Sequence, residues 1–233
     1  MKQLVIICGG KGTRLKKSYP KILVKINKKT ILEYQIELAK KHGFKKFVLL
    51  TGYKSKMIKE FVKIKKISRN LKIIDEKRKL GTGGALINSL RYLDKEFCVI
   101  FGDIFTKIDL SKMKLFFKKN ICNSLMVVNK NKNYEDSNLV SIINKIYVDK
   151  FYFYPHKKIP RNCYSNEAIF MFKKLTFKYL NILNIGNQPD LVKNILPLIH
   201  NIKKINAYKT GEFIIDCGTN YRLKTVRSLF KKN

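Results

Sequence analysis

The chain opens on a short apolar run that ends in glycines. Residues 4–7 read LVII, and the next segment, C-G-G-K-G-T-R-L from Cys8 to Leu15, holds three glycines within four positions. Glycine loses more backbone freedom on folding than any other residue. Because the glycines directly follow a predicted buried strand over residues 2–8, we expect the backbone here to approach a bound group closely.

Strand-like and helix-like segments then alternate through the first half of the chain. The predicted helices and strands of this half are 30–41, 54–66 and 85–93, and 47–50, 71–74 and 97–101. Such alternation favours an α/β fold with a mostly parallel central sheet flanked by helices. Binding sites in such sheets lie at the carboxyl ends of the strands. The glycine segment and Gly102-Asp103 both follow predicted strand ends.

The second half is less regular. Its predicted helices and strands are 111–119, 188–200 and 220–230, and 124–129, 139–143, 147–153, 168–172 and 211–217. The segments 139–143 and 147–153 lie close together in the sequence and are expected to pair. We therefore expect a partly antiparallel part over about residues 104–210.

The net charge of +34 admits two interpretations. A protein that reads nucleic acid needs cations for the phosphates, but it clusters them and uses arginine. Here the positive charge is mostly lysine and runs over the whole chain. We favour a drift in amino-acid usage and expect no nucleic-acid partner, with a nucleic-acid-binding protein as the alternative. Such a field would also steer a small polyanionic substrate.

Hydropathy and cysteine usage limit the setting. No apolar run approaches the roughly 20 residues of a membrane span, so we expect no membrane partner. The five cysteines are scattered and include no C-x-x-C pair. This pattern disfavours zinc and a disulfide framework and fits a reducing, cytoplasmic environment.

The segment from Gly9 to Arg14 has the composition of a phosphate-binding loop. Glycines let successive backbone N–H groups converge on anionic oxygens, and the Arg14 guanidinium can bind two phosphate oxygens at once. The segment matches neither the Walker A pattern nor G-x-G-x-x-G. A tight turn between a strand and a helix is the alternative.

This loop resembles that of the sugar-1-phosphate nucleotidyltransferases, a Rossmann-like, GT-A-type α/β family. Further segments are similar to the family's motifs in the same order along nearly the whole chain, from residue 3 to about 227. They are P-K-I-L at 20–23, L-G-T-G-G-A at 80–85, F-G-D at 101–103 and I-D-C-G-T at 215–219.

Within this family, the chain most resembles the D-glycero-D-manno-heptose 1-phosphate guanylyltransferases. The similar segments are Y-E-D-S-N-L-V at 134–140, Y-P-H-K-K at 154–158 and Q-P-D-L-V-K-N-I-L-P at 188–197. This resemblance implies GTP and heptose 1-phosphate as small-molecule substrates. The product would supply the synthesis of a surface polysaccharide such as a capsule.

The resemblance also implies an organisation and roles for single residues. A single domain over 1–233 would comprise a nucleotide-binding half (1–103), a sugar-binding part (104–210) and a metal-binding strand with the last helix (211–233). Arg14 and Lys21 would neutralise the triphosphate, and Asp103 and Asp216 would hold Mg²⁺, which prefers oxygen ligands. The expected nucleotide contacts are Cys8, Gly9, Gly10, Gly12, Thr13, Glu76, Gly81 and Thr82. The expected sugar-phosphate contacts are Gly102, Lys157, Asn166 and Glu167.

Several alternatives remain open at this point. Asp216 could instead cap the last helix, Glu76 could be an exposed loop residue, and Lys158 could take the place of Lys157. A relative that binds nucleotide sugar without turnover is a different class of function. Homo-oligomerisation is also left open.

Glu76 bears on the choice of base. It lies five residues before Gly81, where thymidylyl- and uridylyltransferases typically carry a glutamine. A carboxylate only accepts hydrogen bonds. Guanine offers two neighbouring donors, N1–H and N2–H₂, whereas cytosine offers only its N4 amine. We therefore predict GTP, with CTP, UTP or dTTP and another phosphorylated acceptor as alternatives.

Overall fold

The computed structural model of the chain describes residues 1–12, 15, 18–67, 69–130, 134–182 and 186–230. Two predicted site residues, Thr13 and Arg14, lie outside these ranges. The chain forms two compact units. The first comprises residues 1–79, 100–111 and the segment from Glu212 onward, and the second comprises residues 80–99 and 112–211.

We predicted a single domain with three parts, divided after residues 103 and 210, and this organisation stays a prediction. The two compact units are divided differently. Residues 104–111, which we assigned to the sugar-binding part, group with residues 1–79. Residues 80–99, which we assigned to the nucleotide-binding half, group with residues 112–211.

Strands and helices alternate first and mix later, as expected. The first half contains β1 (Gln3–Ile7), β2 (Lys25–Ile26), β3 (Lys29–Thr30), α1 (Ile31–Lys41), β4 (Lys46–Thr51), α2 (Ser55–Lys65), β5 (Leu71–Asp75), α3 (Gly81–Ser89), β6 (Glu96–Phe101) and β7 (Ile104–Thr106). The second half contains α4 (Leu110–Lys119), β8 (Ser124–Asn129), β9 (Leu139–Ile143), β10 (Tyr147–Tyr152), β11 (Tyr164–Lys173), α5 (Leu196–Ile202), β12 (Asn206–Thr210), β13 (Ile214–Asp216) and α6 (Asn220–Ser228).

The first unit is built on parallel strands in the order β5-β4-β1. Ile7 lies opposite Leu50, and Leu50 lies opposite Ile74, so the carboxyl ends of the three strands are level. All five residues of β1 are buried. Continuous burial is typical of a parallel strand that is covered on both faces.

Helix α1 begins where its sequence dictates. The Thr30 side chain accepts a hydrogen bond from the Glu33 backbone N–H, and the Glu33 carboxylate accepts one from the Thr30 N–H at 2.7 Å. This reciprocal pair satisfies two N–H groups that a helix start otherwise leaves without partners. Gly43, with φ of +77°, follows the end of the helix.

A small antiparallel pair completes the first unit. β13 pairs with β7, and this pairing places Asp216 opposite Ile104. A buried cluster that includes Phe105 lies around it, and the partly buried Tyr34 ring packs against Phe105 edge to face at 5.2 Å. The other buried members of this cluster are Leu15, Val24, Ile26, Ile31, Cys217, Leu223 and Val226.

The second unit has a mixed sheet in the order β11-β8-β12-β10-β9. β8 is antiparallel to β11 and parallel to β12, while β9 and β10 form the predicted antiparallel pair. The register of β11 against β8 shifts between Asn166 and Phe170. A mostly parallel first part and a partly antiparallel second part are what the sequence predicted.

Four element predictions were wrong in their bounds. The strand expected over 168–172 is part of β11, which begins at Tyr164. The helix expected from residue 85 begins at Gly81, because the N–H groups of Gly83 and Gly84 donate to the Pro189 carbonyl. The segment expected as one helix from residue 188 is a π-helical turn at Leu191–Ile195 followed by α5. The strand expected over 211–217 is limited to β13, and β12 before it was missed.

No helix within the described ranges is long and apolar enough to cross a membrane.

Replacement of Thr30 by alanine removes the side-chain acceptor at the start of α1. We expect the free energy of unfolding to fall by about 1 kcal/mol, measured by chemical denaturation. Thr30→Ser, which keeps the hydroxyl, is the control and should retain most of the stability. Equal loss in both variants would contradict the capping role.

Candidate functional site

The glycine segment after β1 is tied to the end of β4. The Cys8 N–H donates to the Leu50 carbonyl at 2.9 Å, and the Tyr53 N–H donates to the Gly9 carbonyl at 3.1 Å. Gly12 has a φ of +65°, a conformation that favours glycine. Burial raises the pKa of the Cys8 thiol to about 12, so Cys8 contributes backbone rather than a thiolate.

Glu76 lies against two glycines of this unit. Its Oε1 is 3.0 Å from the position that a Cβ on Gly9 would occupy, and it would overlap a Cβ on Gly52. The Glu76 N–H donates to the Thr51 carbonyl at 3.0 Å. Glu76 is thus half-buried beside the predicted phosphate loop rather than on an exposed loop.

The residue before Glu76 fixes the end of β5. Asp75 Oδ2 accepts hydrogen bonds from Ser55 Oγ and Lys59 Nζ, both at 2.7 Å. Burial acts to raise the pKa of Asp75, but the hydrogen bonds from Lys59 and Ser55 outweigh it and hold the pKa below its usual value. The ionised carboxylate therefore joins α2 to the strand end that carries Glu76.

A tight turn at Gly102 and Asp103 follows β6. The Gly102 N–H donates to the Ile7 carbonyl at 2.8 Å, and a Cβ at Gly102 would lie 2.8 Å from Cys8 Cβ. The Asp103 carbonyl accepts a hydrogen bond from the Cys217 N–H at 2.7 Å. The turn thus approaches β1 on one side and the end of β13 on the other.

This arrangement brings the two predicted metal ligands together. Asp216 lies opposite Ile104, the neighbour of Asp103, and Cys217 is hydrogen-bonded to Asp103 itself. Burial, and after it the negative charges of Asp103 and Asp216, raise the pKa of the Cys217 thiol to about 12. Both carboxylates therefore act on the same thiol, which stays protonated.

Each of these carboxylates faces a cation. Lys21 Nζ lies 3.3 Å from Asp103 Oδ2, and the Lys21 side chain passes close over Gly12. Asp216 Oδ2 accepts a hydrogen bond from the Arg222 guanidinium. Lys21 therefore joins the glycine segment to the aspartate pair, in line with its predicted place beside the loop.

Arg222 was missed in the sequence analysis. It lies in the first turn of α6, and its N–H donates to Thr219 Oγ1 at 3.3 Å. Thr219, not Asp216, therefore caps the last helix. The only signal in the sequence is a basic residue shortly after D-C-G-T, and lysines and arginines are too frequent in this chain for it to stand out.

The donor chemistry of the aspartate pair fits Mg²⁺ in one particular way. Within the described part of the chain, no three His, Cys, Asp or Glu side chains gather into a metal site. Mg²⁺ commonly takes one or two carboxylates and fills its other positions with water and substrate phosphates. Asp103 and Asp216 would therefore hold the ion together with a bound polyphosphate.

In the second unit, L-G-T-G-G-A packs against a later segment of the same unit. Thr82 Oγ1 donates to Asp190 Oδ2 at 2.9 Å and accepts from the Leu191 N–H at 2.7 Å. A Cβ at Gly81 would lie 2.6 Å from the Pro189 carbonyl oxygen. These residues let two backbone segments approach each other, and the nucleotide contacts of Gly81 and Thr82 stay predictions.

Asn166 and Glu167 lie at the register shift of β11. Asn166 Oδ1 accepts a hydrogen bond from the Ala168 N–H at 3.0 Å, and Ala168 has a φ of +53°. Glu167 is 8% exposed, and its Oε1 accepts a hydrogen bond from Ser165 Oγ at 2.5 Å. Such bulges are frequent beside active sites, and the expected sugar contacts of both residues stay predictions.

Lys157 and Lys158 are both exposed. Lys158 borders a cavity of about 500 Å³, together with Tyr152, Pro160 and Arg161. Two cations at one cavity suit an anionic group. The expected phosphate contact of Lys157, with Lys158 as the alternative, stays a prediction.

Comparisons with known proteins place the chain in context. A family model described as "Nucleotidyl transferase" matches residues 3–227. A D-glycero-alpha-D-manno-heptose 1-phosphate guanylyltransferase of Campylobacter jejuni is 44% identical over 130 residues, which are 54% of this chain and 58% of that protein. The bifunctional protein GlmU of Buchnera aphidicola is 40% identical over 120 residues, 50% of this chain and 25% of that protein. These matches span less than two thirds of either relative.

Solved structures share the fold over the whole chain. HddC from Yersinia pseudotuberculosis has a TM-score of 0.83 at 22% identity, with 99% of this chain and 100% of that chain covered. The same protein complexed with GMP-PN has a TM-score of 0.80 at 22% identity, with the same coverage. A UDP-glucose pyrophosphorylase complexed with UDP-glucose has a TM-score of 0.84 at 18% identity, with 100% and 99% covered. The predicted fold class is confirmed.

Replacement of Gly102 by alanine tests the close approach of the turn to β1. The added Cβ would meet Cys8 Cβ and the Ile7 carbonyl, neither of which can rotate away, so we expect a loss of about 1–3 kcal/mol in unfolding free energy. Gly10→Ala is the matched control, since no described atom lies within 4 Å of its added Cβ. Equal stability of the two variants in urea would contradict this packing.

Proposed function

The chain belongs to the nucleotidyl transferase family, and from that premise we propose that it transfers GMP from GTP to a sugar 1-phosphate, with release of pyrophosphate. We further propose D-glycero-D-manno-heptose 1-phosphate as the acceptor. The name of the Campylobacter relative supports both choices. The binding of GMP-PN by HddC supports the choice of nucleotide.

The observation that carries the proposal is the pair of aspartates beside the glycine segment. Asp103 and Asp216 come from distant parts of the sequence, yet one hydrogen-bonds Cys217 and the other directly precedes it. Lys21, whose side chain contacts both Gly12 and Asp103, links them to the loop. A polyphosphate needs such a combination of cations, backbone N–H groups and oxygen ligands for a divalent ion.

The reaction asks for positioning and charge neutralisation. An oxygen of the sugar 1-phosphate attacks the α-phosphorus of GTP, and the bond between that phosphorus and the pyrophosphate oxygen breaks. When Mg²⁺ is bound, it supplies positive charge at the phosphate oxygens. The N–H groups of the glycine segment would orient the triphosphate, and Lys21 would exchange Asp103 for a phosphate oxygen. The role of Arg14 in neutralising the triphosphate belongs to the same proposal.

Glu76 supports guanine as the base. Its carboxylate lies beside Gly9, and it follows directly on Asp75, whose side chain accepts a hydrogen bond from Ser55. A carboxylate can accept from both N1–H and N2–H₂ of guanine, whereas a pyrimidine offers no such pair. CTP, UTP and dTTP are therefore the less favoured donors.

Release of pyrophosphate from a matrix of nucleoside triphosphates and sugar 1-phosphates tests the proposed activity. We expect the highest rate with GTP and heptose 1-phosphate in the presence of Mg²⁺. Asp103→Asn should lower kcat/KM by roughly 10²-fold or more, because it removes a proposed ligand of the divalent ion that neutralises the reacting phosphates.

Asp149→Asn in the second unit is the control for charge removal, since Asp149 contacts Ser141 on the surface. Binding of a GDP-sugar without pyrophosphate release from any pair would instead identify a non-catalytic relative. A highest rate with another triphosphate would keep the reaction class and overturn the choice of base.

Glu76→Gln tests base selection separately. It replaces one of two acceptor oxygens with a donor, so the preference for GTP over UTP in kcat/KM should fall by about 1–3 kcal/mol, roughly 5- to 150-fold. Glu60→Gln on α2 provides the matched control. An unchanged preference in the Glu76 variant would contradict the role of this carboxylate.

A further inference from the structure

A buried glutamine holds the turn that carries Asp103. Gln35, on α1, is 3% exposed. Its Nε2 donates to the Phe101 carbonyl at 2.9 Å and to the Ile104 carbonyl at 2.7 Å. These two carbonyls stand immediately before and after Gly102-Asp103. Both protons of one amide group therefore bracket the turn.

Gln35 is polar, whereas the residues buried beside it on α1 are apolar. The other residues that α1 buries are Ile31, Leu32, Ile36 and Ala39, all apolar. Burial of an amide among apolar side chains is costly unless its hydrogen bonds are made. Gln35 Oε1 is itself buried with no hydrogen-bond partner among the described residues. The hydrogen bonds that offset the burial of this amide are therefore those from Nε2 to the two carbonyls.

The two hydrogen bonds from Gln35 restrict the backbone around Asp103 and so limit the direction of its side chain. The turn is also held by the Gly102 N–H at Ile7 and by the Cys217 N–H at the Asp103 carbonyl. Those two bonds fix the backbone at one point each. The Gln35 amide spans the turn from one flank to the other, and so it opposes rotation of the segment between the two flanks.

We propose that Gln35 is a positioning residue that sets the direction of the Asp103 carboxylate for the metal. This inference rests on the proposed function, in which Asp103 and Asp216 hold Mg²⁺ beside the triphosphate. Gln35 does not contact the substrate in this account. It acts through the backbone on either side of Asp103.

Other residue types of similar size offer fewer than the two hydrogen-bond donors that Gln35 supplies to the turn. Methionine has nearly the same length and shape but donates no hydrogen bond. Glutamate is isosteric, and burial favours its neutral form, which donates one hydrogen bond. The series Gln35, Gln35→Glu and Gln35→Met thus offers two, one and no donors at nearly constant volume.

Binding of Mn²⁺ in the presence of a non-hydrolysable GTP analogue tests the proposal, with free Mn²⁺ followed by electron paramagnetic resonance. We expect Gln35→Met to weaken Mn²⁺ binding about 10- to 100-fold, as for other groups that orient metal ligands. Gln35→Glu should lie between this variant and the wild type. Excess Mg²⁺ should restore much of the activity of Gln35→Met, because the lost quantity is metal affinity.

Thr30→Ala is the matched control. It weakens the same helix through its capping bonds but does not touch the turn. We expect it to lower thermal stability and leave Mn²⁺ affinity unchanged. A purely structural Gln35 would make the two variants alike in both measurements.

The outcomes distinguish failure of the positioning role of Gln35 from failure of the proposed function. Wild-type Mn²⁺ affinity in Gln35→Met, or an equal loss in Thr30→Ala, overturns the positioning role and leaves the proposed function in place. Failure of the wild type to bind Mn²⁺ with the nucleotide analogue overturns both. Should Gln35→Met not fold, wild-type affinity in Gln35→Glu overturns the positioning role.

Discussion

The close approach of the Gly102-Asp103 turn to β1 is the constraint on which the candidate site depends. The Gly102 N–H can reach the Ile7 carbonyl at 2.8 Å only because no Cβ stands between them and Cys8. The same turn presents the Asp103 carbonyl to Cys217, and this hydrogen bond brings Asp216 to the site. A glycine after β6 therefore sets the position of two carboxylates from distant parts of the chain.

The charges at this turn are balanced by two ion pairs, and the cations of these pairs are placed to exchange the aspartates for the phosphates of a ligand. Lys21 faces Asp103, and Arg222 faces Asp216. A divalent ion at the carboxylates would release both cations toward the phosphates that arrive with it. Neither the carboxylates nor the cations then lack a partner before or after binding, which avoids the cost of an unpaired, partly buried charge. The general positive field of the chain favours the approach of such a substrate.

The sequence predicted the features that rest on local chemistry. The helix α1 and the strand β1 were both predicted, and β1 follows from a continuous apolar run. The features that the sequence did not predict depend on tertiary contacts. β12 has little apolar patterning and is a strand because it pairs with β8. The Thr82–Asp190 hydrogen bond and the Arg222–Asp216 pair likewise have no signal in neighbouring residues. At Gly81 the backbone of Gln188 and Pro189 approaches closely, and no nearby residue in the sequence signals this contact.

Anomalous diffraction from Mn²⁺, in crystals grown with a non-hydrolysable GTP analogue, tests the central claim most directly. We expect one peak within coordination distance of both the Asp103 and Asp216 carboxylates and of a phosphate oxygen, with Lys21 turned from Asp103 to the phosphates. A peak that touches neither aspartate, or a triphosphate bound away from the glycine segment while both ion pairs persist, would contradict it.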